Sequence, residues 1–287
     1  MKTNLNELYL LTTFMLSISV LTIVHQRKAA LLNLIEGLER ATVKPTELVI
    51  VFMNEDEYIL PVTSFPLSIY KIVRQGHLPL AEARNLAAIN ATHEHLVFLD
   101  VDCIPGPDLL SAYAEAFGRE DYLWTGPVHY LDKNATTDKD LFSSLNNWSK
   151  PDKIRDLATP ITYELFWSLN FGCTKTVFEL IGGFDNTFEG YGAEDTDFSF
   201  SARKNGVIIS WVNAPAYHQY HPSYDPPLNH LANIVSNAKT FRRKWGVWPM
   251  TGWLRKFEQG GYISWNDDAL IIEQLPTDKD IKLALKL

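Results

Sequence analysis

The sequence predicts an α/β protein built on a mostly parallel sheet flanked by helices and followed by a helical, Trp-rich C-terminal extension. Three observations predict it. Short apolar runs alternate with amphipathic segments through the first hundred residues, the run His95 to Leu99 ends in the acidic pair Asp100 and Asp102, and Trp245, Trp248 and Trp253 cluster late in the chain. In such sheets ligands gather beyond the carboxyl ends of the strands, which puts Asp100 and the loops after Val24 and Met53 on one edge.

Taken in order, Ser17 to Val24 reads as a strand, Gln26 to Arg40 as a helix with apolar Leu31, Leu32, Leu34, Ile35 and Leu38, and Glu47 to Met53 as a second strand. Ser68 to Val73, a helix over Leu80 to Ala91 and the strand ending at Asp100 continue the alternation. Beyond Asp121 the pattern loosens. Tyr122 to Tyr130 and Trp167 to Thr174 read as strands, Asp140 to Trp148 as a helix, and the polar stretch from Leu131 to Pro160 as a loop or lid. Glu194 to Asn205, Leu228 to Trp245 and Thr251 to Phe257 read as helices. The expected division is a catalytic unit over residues 1–222 and a helical extension over 223–287.

Composition bounds the function. The chain has 287 residues, 46% of them hydrophobic, enough for a full core. Its net charge of −8 and the lack of any Lys/Arg block give a nucleic-acid partner no electrostatic support. Two cysteines, Cys103 and Cys173, make no disulfide framework and have no zinc spacing. The charge-free run Leu8 to Val24 carries five Ser/Thr residues and no obvious cleavage site, so its second half reads as the first strand rather than as a transmembrane or signal segment. A cytoplasmic location is expected, with peripheral association at a membrane surface left open.

Four Asp-x-Asp pairs occur, and context separates them. Asp138/Asp140 and Asp278/Asp280 lie in charge-rich surface stretches, whereas Asp100/Asp102 follows a run fit for the centre of a sheet. Carboxylates there suit Mg2+ or Mn2+, hard ions that share their shell with phosphate oxygens; the plainer alternative is a strand-end cap on the following turn. The fourth pair, Asp195/Asp197, falls in Glu189-Gly190-Tyr191-Gly192-Ala193-Glu194-Asp195-Thr196-Asp197, just after Gly182-Gly183-Phe184-Asp185. Asp195 is a candidate general base, set against the ordinary preference of helix first turns for acids. His218 and His221, three apart after an apolar stretch, are candidate metal ligands or plain core histidines.

The order of these motifs resembles the family 2 type glycosyltransferases of GT-A fold, with a second half similar to the galactosyltransferase C-terminal region. The matching pieces are Ala83-Arg84-Asn85, Leu99-Asp100-Val101-Asp102, the Gly-Gly-Phe-Asp turn, the Gly-x-Gly-x-Glu-Asp-x-Asp stretch and a late histidine, spanning about Ser17 to Pro222. The resemblance implies an inverting, metal-dependent transfer of a sugar from a nucleotide diphosphate, with a UDP-sugar as the expected donor, to a hydroxyl of a glycan, lipid-linked or small-molecule acceptor. Under it, Asp102 ligates the metal with Asp100 beside it and His218 or His221 completing the set. Asp195 is the base and Glu194 orients the acceptor. Val24, Arg27, Glu55, Arg84, Asn85 and Asp100 line the donor site, and Trp124, Trp167 and Asn170 form the sugar pocket. The family's Asp-rich turn after the second strand is replaced here by Phe52-Met53-Asn54-Glu55-Asp56, so Glu55 or Asp56 would take its place. Two alternatives stand beside this reading: a catalytically silent sugar-nucleotide or glycan-binding protein, and a nucleotidyltransferase, which the glycine-free loop Val24-His25-Gln26-Arg27-Lys28 disfavours.

Overall fold

A computed structural model describes residues 16–135, 141–155 and 159–286. The apolar runs become a seven-stranded sheet: β1 (Ile18–Val24), β2 (Glu47–Met53), β3 (Leu67–Ile72), β4 (His95–Leu99), β6 (Leu123–Thr125), β9 (Asn170–Thr174) and β10 (Ile209–Trp211), in the order β10-β6-β9-β4-β1-β2-β3. Every residue of β1 and β2 is buried, as expected of strands covered on both faces.

Successive side chains of a strand point to opposite faces, so two cores form. On one, Ile18, Val20, Leu48, Ile50 and Val97 meet α1 (Lys28–Arg40) and α3 (Leu109–Phe117). On the other, Leu21, Ile23, Val49, Val51 and Phe98 meet α2 (Leu80–Asn90), α4 (Lys175–Ile181) and α5 (Glu194–Lys204). Phe98 stacks on Phe171 at 4.4 Å and Phe184 on Phe198 at 4.4 Å. The phenylalanine of the Gly-Gly-Phe-Asp turn is therefore a core anchor.

The sheet is parallel except at β9, which runs antiparallel to both β4 and β6. A buried apolar run reads the same in either direction, so periodicity alone does not disclose the reversal. Tyr122 to Tyr130 is two strands rather than one. Gly126 and Pro127 break it, and β7 (Val128–Leu131) joins a second sheet with β5 (Cys103–Pro105), β11 (Ala216–His218) and β8 (Ser149–Pro151), in the order β5-β11-β7-β8. The expected helix over Asp140 to Trp148 is instead a 3-10 turn, Leu141–Ser143, leading to β8; Leu141 and Leu145 join Ile104, Leu131 and Tyr217 in that small sheet's core. Asp138 and Asp140, and the first part of the Leu8 to Val24 run, lie outside the described residues, as do positions 136–140 and 156–158 of the expected lid.

After β12 (Ser223–Tyr224) the chain forms α6 (Leu231–Trp245), α7 (Thr251–Gln259), the hairpin β13 (Ile263–Trp265) with β14 (Leu270–Ile272), α8 (Asp278–Ala284) and β15 (Leu285–Lys286), which pairs back onto β12. Leu231, Ile234, Val235, Leu254, Phe257 and Ile263 form its core. Asp278 and Asp280 sit in the first turn of α8, where Asp280 and Thr277 complete a capping box, a structural role in keeping with their surface reading. Among the described residues no helix is long and apolar enough to cross a membrane.

Candidate active site

The chain leaves β4 at Leu99 and turns at once: the Asp100 amide donates to the Leu169 carbonyl at 2.9 Å, and the Cys103 amide donates to the Asp100 carbonyl at 2.8 Å. This tight turn leaves the Asp102 side chain 10% exposed at the head of β5. β11 pairs antiparallel with β5, His218 opposite Cys103, and the Gln219 amide donates to the Asp102 carbonyl at 2.7 Å. That register carries both histidines to the aspartate.

One ligand atom from each of Asp102, His218 and His221 falls within 4.8 Å of the others, and His221 Nε2 stands 3.6 Å from Asp102 Oδ2. Arg27 Nε donates to the same oxygen at 3.3 Å. Burial pushes the Asp102 carboxyl up and Asp100's charge adds to it, while His221, His218 and Arg27 pull it down. Burial also lowers the His218 pKa, favouring the neutral imidazole that binds metal. A carboxylate oxygen with two imidazole nitrogens fits Mn2+ or a similar divalent ion and leaves coordination positions for phosphate oxygens. Asp100 lies next to this triad but is not one of its three members.

The loops from β1 and β2 complete this side. Val24 is buried at the end of β1, and Gln26, in the left-handed region at φ 53°, donates its amide to both Glu55 oxygens at 3.0 Å. Tyr58 donates its hydroxyl to Glu55 at 2.6 Å. Glu55 thus ties the two loops together, whereas Asp56 pairs with Lys71 on the surface.

The base-side acids fare differently from one another. Glu194 is buried and accepts from Arg84 Nη1 at 3.1 Å and from the Gly192 amide at 3.2 Å. Asp197 accepts from Lys244 Nζ at 2.9 Å and Trp245 Nε1 at 2.7 Å, locking α5 to α6. Among the described residues, the hydrogen bonds to the Asp195 carboxylate come from its neighbour Thr196. Burial, reinforced by the charge of Glu194 and opposed by Arg84, pushes Asp195 up to about 7. Arg84 links the two halves, since its Nη1 pairs with Glu194 at 3.1 Å. Arg84 borders the same recess as Asp100, Thr22 and Leu99.

Three expected donor contacts are placed elsewhere. Asn85 spends its side chain inside the protein: its amide donates to the Phe184 carbonyl at 2.7 Å and its oxygen accepts the Phe184 amide at 2.8 Å, holding the Gly-Gly-Phe-Asp turn. A Cβ on Gly183 would lie 2.8 Å from Asn85 Oδ1, which accounts for that glycine. Asn170 is 1% exposed, donates to the Ala214 carbonyl at 2.7 Å and accepts from the Tyr113 hydroxyl at 2.8 Å, so it joins β9 to its neighbours instead of meeting a sugar. Trp124 is 5% exposed with its indole N–H on the Glu120 carbonyl. Each satisfies its polar atoms internally, as buried polar groups must. Trp167 is half-buried under the Arg155 guanidinium, 4.3 Å away. Sequence reasoning missed Tyr130, which packs on His218, and Gln219, whose amide bonds to Ala30 and Asn33 fasten the His218–His221 segment to α1.

The profile of glycosyl transferase family 2 matches residues 19–181, more than half the chain. The chain belongs to that family. A second profile, described as the N-terminal domain of galactosyltransferase, matches residues 152–223 of this glycosyltransferase, the part that carries Asp195 and both histidines. The chondroitin synthase of Escherichia coli is 25% identical over 207 residues, covering 61% of this chain and 30% of that protein, so the chain spans under a third of that relative's length. A crystal structure of GalNAc-T7 with UDP, GalNAc and Mn2+ is similar at a TM-score of 0.53 and 13% identity, over 72% of this chain and 43% of that one. Staphylococcus aureus TarS 1-349 in complex with UDP is similar at 0.51 and 15% identity, over 79% and 66%. At these identities the structural likeness concerns the GT-A fold.

Proposed function

We propose that the protein is an inverting, metal-dependent glycosyltransferase that moves a sugar from a nucleotide diphosphate, with a UDP-sugar as the favoured donor, to a hydroxyl acceptor. The observation that carries this reading is the carboxylate and imidazole triad at the strand ends, joined through Asp100, Arg84 and Glu194 to Asp195, a carboxylate pushed up to about 7.

Asp102, His218 and His221 would hold Mn2+ or Mg2+, with Asp100 beside them. Bound there, the ion supplies a Lewis acid that offsets charge on the leaving diphosphate. Arg27, 3.3 Å from Asp102, adds a cation to that side, and Gln26 and Glu55 form the rim against which the nucleoside would lie, with Val24 fully buried beneath it. Asp195 would accept the proton of the acceptor hydroxyl as the new glycosidic bond forms on the face opposite the departing diphosphate. Glu194, held by Arg84 and the Gly192 amide, keeps a negative charge beside Asp195 and so keeps it basic enough for the task. The Mn2+ and UDP named with the GalNAc-T7 structure support this choice of ion and nucleotide.

Asp195→Asn separates catalysis from binding. The expected result is loss of transfer with UDP binding in Mn2+ unchanged; transfer at the wild-type rate would remove Asp195 from the mechanism, and UDP binding with no transfer in the wild type would favour a silent binding protein.

A further inference from the structure

The helical tail, set apart in the sequence by its tryptophans, packs directly against the turn that precedes Asp195. That turn has little conformational preference of its own: Gly190, Gly192 and Ala193 lie at φ 69°, 107° and 71°. Contacts from the tail define it. Asn237 on α6, 1% exposed, donates its side-chain amide to the carbonyls of Glu189 at 3.0 Å and Gly192 at 2.9 Å, with Tyr191's carbonyl at 3.4 Å. Two hydrogens thereby serve three carbonyls within the four residues 189–192. The glycines are required by the same contact, since a Cβ on Gly190 would sit 2.5 Å from Asn233 Nδ2 and one on Gly192 would sit 3.0 Å from Met250 Sδ.

Tyr191, between those glycines, stacks on two further tail residues: His230 at 4.7 Å and 22°, and Trp253 at 5.8 Å and 28°. Tyr191 itself remains 41% exposed. Offset aromatic pairs contribute about 0.5–1.5 kcal/mol beyond burial, enough to hold one ring orientation on a glycine-flanked residue.

We infer that the C-terminal helical region is a working part of the transfer site: Asn237 is a positioning residue that fixes the turn before Asp195, and His230 and Trp253 hold the Tyr191 ring on that same turn. The inference rests on the proposed transfer reaction and extends it, because it makes the tail the wall on which the reacting hydroxyl is oriented. A tail that served only as a separate docking module would have no need of a buried amide spent on the catalytic turn.

The test uses the full chain with Asn237→Leu, Trp253→Ala and Trp253→Phe, each first checked for a wild-type melting transition. Three quantities are read: UDP affinity in Mn2+, release of UDP from UDP-N-acetylgalactosamine, and hydrogen exchange of amides 190–195. Expected are UDP affinity within twofold of wild type, UDP release at least tenfold slower in Asn237→Leu and Trp253→Ala, and recovery to within threefold in Trp253→Phe. Exchange at 190–195 should rise at least tenfold in Asn237→Leu while β1 and β4 amides keep their protection. Unchanged turnover and exchange would overturn the inference, as would UDP affinity falling in step with turnover. A wild-type protein that binds no UDP with Mn2+ would instead overturn the transfer reading and the catalytic half of this inference, with exchange still deciding whether Asn237 holds the turn.

Discussion

Asp195 offers the sharpest link between structure and rate. Its carboxyl titrates near 7 against an ordinary 3.8, because burial and then Glu194 disfavour its charged form. A base must be deprotonated to act, so transfer should fall as pH drops through 7, with about one tenth of the plateau rate at pH 6 and about one hundredth at pH 5. Glu194→Gln removes a neighbouring negative charge and should move this limb to lower pH. The same displacement has a stability signature of opposite use. A raised folded-state pKa favours the fold below 3.8, and that advantage is lost as pH rises through 7, at up to about 4 kcal/mol for about 1.4 kcal/mol per pH unit. Asp195→Asn should therefore match wild type in stability below pH 4 and exceed it at pH 8, while losing transfer. The assays are a pH–rate profile at saturating donor and urea unfolding at both pH values. A rate independent of pH between 5 and 7.5, or an Asn variant no more stable at pH 8, would refute the reasoning.

Two further outcomes concern the frame around the site. Lys244→Met leaves Asp197, whose side chain is 1% exposed, with the Trp245 indole as its remaining side-chain partner among the described residues. The expected loss is about 2 kcal/mol in chemical denaturation, below the 3–5 kcal/mol of a fully buried pair because Lys244 is 33% exposed. Gly126→Ala would set a Cβ 2.3 Å from Asn170 Nδ2 and 2.4 Å from the Ala214 carbonyl, costing about 2–3 kcal/mol, whereas Gly252→Ala, with nothing within 4 Å of its Cβ, should be neutral or stabilising. Equal melting temperatures for the two alanine variants would contradict that reading of the Asn170 joint.

Much of the frame was legible because it depends on local pattern. The apolar runs of β1, β2 and β4 and the apolar face of α1 each state their element, and Asp100 and Asp102 stand out because a buried strand ends on them. Both histidines were visible as candidates, but choosing between them required the β5/β11 register, which depends on residues over a hundred positions apart. The misplaced residues share a cause. Asn85, Trp124 and Asn170 are polar or amphipathic side chains near motif positions, and nothing in a sequence says whether an amide faces a ligand or a buried carbonyl. In each case an internal partner took the polar atom. The contribution of Asn237, His230 and Trp253 was hidden for a related reason: their target is a turn some forty to sixty residues earlier, and their own segment shows only ordinary helical periodicity.

The central claim, a metal-assisted nucleotide-sugar site at Asp102, His218 and His221, is tested most directly by calorimetric titration of the protein with UDP in Mn2+ and in EDTA, alongside Asp102→Ala. The account predicts saturable binding in Mn2+ that EDTA weakens at least tenfold and that Asp102→Ala loses. Equal UDP affinity with and without the ion, or an unaffected Ala variant, would contradict it.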